Sequence, residues 1–169
     1  MSYIGAILLT ASAAFIGIFK AAELKKSVEI LSELTSLLEL LRNEICTRRT
    51  PMKQVLSVKA LPEYKYIQPF VLSLDERLKL LGNKSFAHIW AECITESITN
   101  LSEESRNSLV NLGSSLGRYD AQLQAASIDR CIGDLEREYK SIYENLKCNQ
   151  KMYIGLGTGM GLIVSIILI

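Results

Sequence analysis

Charged side chains are absent from both ends of this 169-residue chain. Its 19 basic and 18 acidic residues all lie between Lys20 and Lys151. As helices, residues 1–19 and 152–169 would approach the roughly 30 Å of bilayer hydrocarbon, at about 1.5 Å per residue. The sequence therefore predicts two transmembrane helices, residues 1–22 and 152–169. The alternatives are a cleaved signal peptide for the first apolar run and a buried core helix for the second.

Residues that carry catalysis or bind metals are also scarce. His88 is the only histidine. The sequence therefore lacks the residues for a His-rich metal site and has a single candidate for the histidine of a Ser-His-Asp triad. The four cysteines form no CxxC pair, and no Walker-type or GxGxxG loop precedes a helix. We therefore predict a protein that is not an enzyme and has no cofactor and no metal site. The net charge of +1 gives no reason to expect nucleic acid as a partner.

Basic residues flank the two apolar runs on the side of the charged middle region, residues 23–151. They are Lys20, Lys25 and Lys26 after the first run, and Lys140, Lys147 and Lys151 before the second. Because loops rich in Lys and Arg stay on the cytoplasmic side of membranes, we expect the middle region in the cytoplasm and both termini across the membrane.

The spacing of apolar residues is helical almost throughout the middle region. Long helices are predicted from about 23 to 46 and from Asp120 onward, with shorter ones at about 51–60, 67–81, 85–98 and 102–117. The expected buried faces of the long helices are Leu24, Val28, Leu31, Leu34, Leu38, Leu41 and Ile45, and Ile128, Ile132, Leu135, Tyr139, Ile142 and Leu146. The predicted fold is all-α: an antiparallel bundle of about six helices between an N-terminal and a C-terminal transmembrane helix, the first and last helices being long and continuous with the spans.

Three arginines lie where the two long helices are farthest from the apolar runs. Arg48 and Arg49 follow the first long helix, and Arg118 with Tyr119 precedes the last. We expect these four residues to bind a partner, as a membrane-distal basic patch that receives an acidic surface of a cytoplasmic protein. The alternative is that both segments are solvated loops.

A string at the start of the last long helix, Leu116-Gly117-x-x-Asp120-x-x-x-Gln124, has a distinctive spacing. Glu44 followed by Thr50-Pro51-Met52, the stretch 86–90 and the two apolar ends accompany it. Together these features resemble the stage III sporulation protein AB family over essentially the whole chain. By this resemblance Thr50, Pro51, Leu116, Gly117, Asp120 and Gln124 form a structural motif. Gly117 would be a turn glycine, Asp120 a helix N-cap, and Gln124 a partner of the Asp120 backbone or of the Thr50 loop.

The resemblance implies a role in endospore formation, in the membrane complex that joins mother cell and forespore. The family looks like the cytoplasmic helical domain of the F-component platform proteins of type II secretion. The implied function is a non-enzymatic platform that docks a secretion-type ATPase, stage III sporulation protein AA, through its membrane-distal end. Other membrane proteins of the stage III sporulation complex and membrane lipid are the further implied partners. The implied location is the cell membrane, with two passes and the soluble domain on the mother-cell side of the outer forespore membrane.

Glycine is frequent in the second apolar run and leaves a different function open. Gly155, Gly157, Gly159 and Gly161 form two overlaid GxxxG pairs, a pattern typical of close helix contact in membranes. The alternative function is a two-span sensor or scaffold that forms a homo-oligomer through this face. Equally, the two spans could pack on each other within one chain.

Overall fold

The computed structural model describes the backbone of residues 2–48, 55–56, 61–80, 84–116 and 120–168, and the side chains of residues 22–46, 55–56, 61–79, 84–116 and 120–146. These residues form five α-helices and no strand, which confirms the all-α prediction. The helices are α1 (Ser2–Asn43), α2 (Gln68–Arg77), α3 (Phe86–Ser97), α4 (Glu103–Leu116) and α5 (Ala121–Leu168). The helix predicted at about 51–60 falls largely outside the described residues.

No helix in the described part of the chain is long and apolar enough to cross a membrane. The two predicted spans, residues 1–22 and 152–169, thus have no support from the structure and stay predictions. The chain forms two compact units, one of residues 25–139 and one that joins residues up to 24 with those from 140 onward. The contacts described below lie within residues 25–139.

Helix α1 buries a broader apolar face than the sequence predicted. Leu31, Leu34, Leu38, Leu41 and Ile45 are buried as predicted, whereas Leu24 and Val28 are only half-buried. Ile30 and Leu37 are buried as well. The apolar stripe is therefore that of a helix packed into a globular core, which is wider than a two-helix seam. A π-helical turn, Glu44–Arg48, follows α1 directly.

Of the predicted buried face of α5, only Ile128 and Leu135 are buried. Its buried side chains in residues 121–146 are Gln124, Ile128, Cys131 and Leu135. Ile132, predicted to be buried, is half-buried, as are Tyr139, Ile142 and Leu146. Cys131 and Ile132, three and four residues after Ile128, lie on nearly the same side of the helix. The packing of the neighbouring helices therefore decides which of the two is buried.

Helices α4 and α5 run antiparallel, as predicted. Near the start of α4, the Ser102 hydroxyl donates to Glu138 Oε2 at 2.7 Å, and the Ser102 backbone N–H donates to Glu138 Oε1 at 2.8 Å. Six residues further along α4, the Ser108 hydroxyl donates to Asp134 Oδ2 at 2.6 Å. The partners therefore move back along α5 as the chain advances along α4.

Helices α2 and α3 run in the same direction, which departs from the predicted antiparallel bundle. Three contacts join them: Phe70 with Trp90, Ser73 with Cys93, and Arg77 with Glu96. The partners advance together from N- to C-terminus along both helices. A 3-10 helical turn, Leu78–Leu80, follows α2 directly.

Trp90 lies at the centre of the α2–α3–α4 packing. Its side chain is buried, and its Nε1–H donates to the carbonyl of Leu109 at 2.7 Å. Phe70 meets the indole edge to face at a centroid distance of 5.4 Å, and Phe86 stacks on it at 5.9 Å. Gly113 brings the α4 backbone so close that a Cβ there would lie 2.6 Å from Trp90 Cδ1. The indole therefore needs a glycine opposite it.

The chain segment that enters α2 is held by a carboxylate from α1. Glu33 accepts hydrogen bonds from the backbone N–H groups of Lys65, Tyr66 and Ile67, at 3.0, 2.8 and 2.9 Å. Ile67, at the N-cap of α2, cannot cap the helix with its own side chain. Glu33 therefore satisfies backbone donors that would otherwise lack a partner at the start of this helix.

Candidate functional site

The predicted basic patch falls mostly outside the described residues. The backbone of Arg48 ends the π-helical turn after α1, and its side chain lies outside the described part of the structure. Arg49, Arg118 and Tyr119 lie outside the described residues, as do Thr50, Pro51 and Gly117 of the motif. The glycines predicted to mediate helix contact lie in the helical backbone of α5. The patch therefore stays a prediction.

The described part of the predicted distal end comprises Leu116 and residues 120–124, here called the corner. Asp120 occupies the N-cap of α5, where its Oδ1 accepts from the backbone N–H groups of Gln122 and Leu123 at 2.9 and 3.3 Å. The backbone N–H of Gln124 bonds to the Asp120 carbonyl at 3.0 Å. A carboxylate here both satisfies free N–H groups and complements the positive end of the helix dipole.

Gln124 ties the start of α5 to the end of α4. Its side chain is only 8% exposed, and its Nε2 donates to the Leu116 carbonyl at 3.1 Å. Leu116 is the last residue of α4, and such a carbonyl has no donor within its own helix. Sequence reasoning had named the Asp120 backbone and the Thr50 loop as partners of Gln124, and it missed Leu116. The corner is thus fixed from the inside by a buried amide.

We expect Gln124→Ala to lower the free energy of unfolding by about 1 kcal/mol, because the buried Leu116 carbonyl loses a donor. Gln122→Ala is the matched control, since it removes the same amide from an exposed position in the same turn. Urea denaturation of both variants would measure the difference. Equal stability of the two variants would show that the buried amide does not hold the corner.

The end of α1 lies beside the start of α5. Arg42, in the last turn of α1, forms an ion pair with Asp129, with Nε and Oδ1 2.5 Å apart. Arg48 follows Arg42 by six residues, and Leu123 precedes Asp129 by six. Six residues of helix span about 9 Å. The backbone positions of Arg48 and Leu123 therefore each lie within about two helical turns of the Arg42–Asp129 ion pair. The described residues thus place the end of α1 beside the first turns of α5.

Leu123 is an exposed apolar residue on the corner that sequence reasoning missed. It is 55% exposed, and the other large apolar side chains described as exposed are Leu72 at 50% and Tyr143 at 51%. The sequence did carry a signal for it, because Leu123 stands five residues before Ile128, off the buried seam. An apolar side chain on a rigid, solvent-facing turn is a feature of protein-binding surfaces.

The buried cysteines do not have the properties of catalytic nucleophiles. Burial raises the pKa of the Cys131 thiol to about 11, and burial likewise raises the pKa of Cys93. Both thiols are therefore neutral near pH 7, whereas the thiolate is the reactive form. Cys46, Cys93 and Cys131 are all free. The described residues also contain no group of three or more His, Cys, Asp or Glu side chains placed to hold a metal ion.

A charged cluster joins the end of α2, residue 84 and the exposed side of α3. Lys84 Nζ and His88 Nε2 lie 2.8 and 3.0 Å from Glu92 Oε1, and Arg77 pairs with both Glu92 and Glu96. The hydrogen bond from Lys84 is the main cause that lowers the pKa of Glu92. The side chains of this cluster are 28–60% exposed to solvent. Ion pairs at such exposed positions contribute little to stability.

Comparison with curated proteins and with solved structures finds no match to this chain. Comparison with protein families finds one described as stage III sporulation protein AB, and the match covers residues 2–169. That range includes the corner, both long helices and the Trp90 core. The family implies a role in sporulation, in agreement with the sequence resemblance. The chain belongs to the stage III sporulation protein AB family.

Proposed function

We propose that this protein is a non-enzymatic platform component of a membrane complex needed for endospore formation. In this proposal the charge-free segments 1–22 and 152–169 anchor the chain in the membrane, with the middle region in the cytoplasm. The corner then receives a cytoplasmic ATPase of the secretion type that works in the same complex. Family membership supports the role in sporulation.

The observation that carries the docking proposal is the fixed geometry of the corner. Gln124 is bonded to the end of α4, and Asp120 caps the first turn of α5. A surface that is already ordered loses less conformational entropy when a partner binds. The corner is therefore suited to receive a partner without first rearranging.

A mechanism of action can be proposed for helix α5. Helix α5 runs without a break from Ala121, inside the corner, to Leu168. We propose that ATPase docking or turnover displaces the first turn of α5, and that the helix carries this displacement toward the C-terminal segment.

The docking proposal predicts a charge-dependent complex. Reversing two charges with Arg48→Glu and Arg49→Glu should weaken copurification of the ATPase with the full-length protein by about tenfold or more, because like charges at an interface slow association and oppose docking. Thermal stability should not change. Copurification from detergent extracts at fixed salt would measure the effect.

Lys65→Glu with Lys79→Glu is the matched control, because it makes the same change of net charge at exposed positions away from both the predicted patch and the two apolar runs. This control should retain the ATPase. Binding that is unaffected by the Arg48 and Arg49 reversals would contradict docking through a basic patch.

A further inference from the structure

We infer that residues 61–67, here called the strap, open and close against α1 as a unit, with Glu33 as the latch. The backbone of the strap is neither helix nor strand. In the described structure, the hydrogen bonds between the strap and α1 all end on the Glu33 carboxylate, which accepts from the N–H groups of residues 65–67. Because one side chain makes all of these bonds, the strap can detach while the hydrogen bonds inside α1 stay intact.

The closed strap buries a phenol whose hydroxyl is unpaired. Tyr64 is 7% exposed, and its Oη atom, shielded from solvent, forms no hydrogen bond with any described residue. Burial raises the pKa of this phenol, and the charge of Glu33 raises it further, so the carboxylate is close by. The carboxylate is bonded to backbone N–H groups instead. A buried polar group without a partner destabilises the state that buries it.

Two effects of opposite sign therefore act on the strap. The bonds to Glu33 and the burial of the Tyr64 ring and of Ile67 favour closure. The Tyr64 hydroxyl favours opening, because it regains hydrogen bonds to water when the strap detaches. The strap thus opens at a lower free energy than the one at which the whole protein unfolds. A partner that binds the freed Glu33 carboxylate or the freed strap would shift the population toward the open state.

Hydrogen exchange of the full-length protein in detergent, at several low concentrations of urea, tests whether the strap opens on its own. The amide hydrogens of residues 65–67 should exchange at a rate that urea barely changes, because opening of the strap exposes little surface. The amide hydrogens of Leu34 and Leu38, on the buried face of α1, should exchange at a rate that rises with urea, because they require global unfolding.

Tyr64→Phe tests the part played by the hydroxyl, since it removes that group and keeps the ring. It should raise the protection factors of residues 65–67 about tenfold, because the closed strap no longer buries an unpaired group. Tyr66→Phe is the matched control, because it removes the same hydroxyl two residues later from a half-buried ring. It should change these protection factors by less than about twofold.

Three outcomes would overturn the inference. If the amide hydrogens of residues 65–67 depend on urea as steeply as those of Leu34 and Leu38, the strap does not open on its own. If Tyr64→Phe leaves the protection factors unchanged or lowers them, the hydroxyl is paired in the closed state and does not favour opening. If Tyr66→Phe raises them as much as Tyr64→Phe, the effect does not come from the buried hydroxyl.

Discussion

Glu33→Ala should lower the free energy of unfolding by about 3 kcal/mol or more, because three described backbone N–H groups lose their acceptor. The Glu33 carboxylate accepts from three consecutive backbone N–H groups, at residues 65–67. A hydrogen bond to a charged acceptor contributes about 1.5–3 kcal/mol, and water can replace only the exposed part of this set. Urea denaturation would measure the loss of stability.

Two further measurements would show that the loss of stability in Glu33→Ala comes from the contact between Glu33 and residues 65–67. The amide hydrogens of Tyr66 and Ile67 should exchange faster with solvent in the variant. Burial raises the pKa of Tyr64, and the charge of Glu33 raises it further, so the pKa of the phenol should fall when Glu33 is removed.

Glu39→Ala is the control for Glu33→Ala, because it removes the same side chain from an exposed position on α1. It should change stability by less than about 0.5 kcal/mol, as is usual for surface substitutions. If both variants lose the same small amount, the carboxylate does not hold the segment before α2.

Gly113→Ala should destabilise the protein by about 2 kcal/mol, although alanine is the better helix former. The added Cβ would lie 2.6 Å from Cδ1 and 2.9 Å from Cγ of Trp90, both atoms of a rigid ring. Relief requires a shift of the indole, which is bonded to the Leu109 carbonyl and packed against Phe70. Overpacking of a core by one methyl group typically costs about 1–3 kcal/mol. Because Trp90 is the only tryptophan, its fluorescence spectrum would report the shift.

Gly133→Ala should change the stability of the protein in the opposite direction. A Cβ at Gly133 meets no described atom within 4 Å, and the residue lies inside α5. The substitution should therefore raise stability by up to about 1 kcal/mol, the difference in helix propensity between glycine and alanine. Thermal denaturation of the two variants should give shifts of opposite sign. Stabilisation by both would mean that α3 and α4 are less closely packed than described.

Features of the fold that depend on residues close together in the sequence were predictable. Asp120 caps α5, as the family resemblance implied, and Ser85 caps α3 beside the predicted helix start at about residue 85. Each depends on a side chain and on backbone groups within three residues of it. The existence of the long first and last helices followed in the same way from a regular apolar period.

Features that depend on contacts between helices were not predictable. Glu33 binds N–H groups that lie more than thirty residues further along the chain, and a glutamate on an amphipathic helix gives no signal of such a contact. The choice of Cys131 over Ile132, and the common direction of α2 and α3, are likewise decided by which surface each helix meets. The bond between Gln124 and the Leu116 carbonyl likewise required the geometry of the corner.

The most direct test of the central claim is crosslinking from the corner in sporulating cells. A photoreactive amino acid would be placed at position 123, and in a second strain at position 72, each in the full-length protein. The account predicts that the ATPase is crosslinked from position 123 and not from position 72. A crosslink to the ATPase from position 72 alone, or from neither position, would contradict docking at the corner.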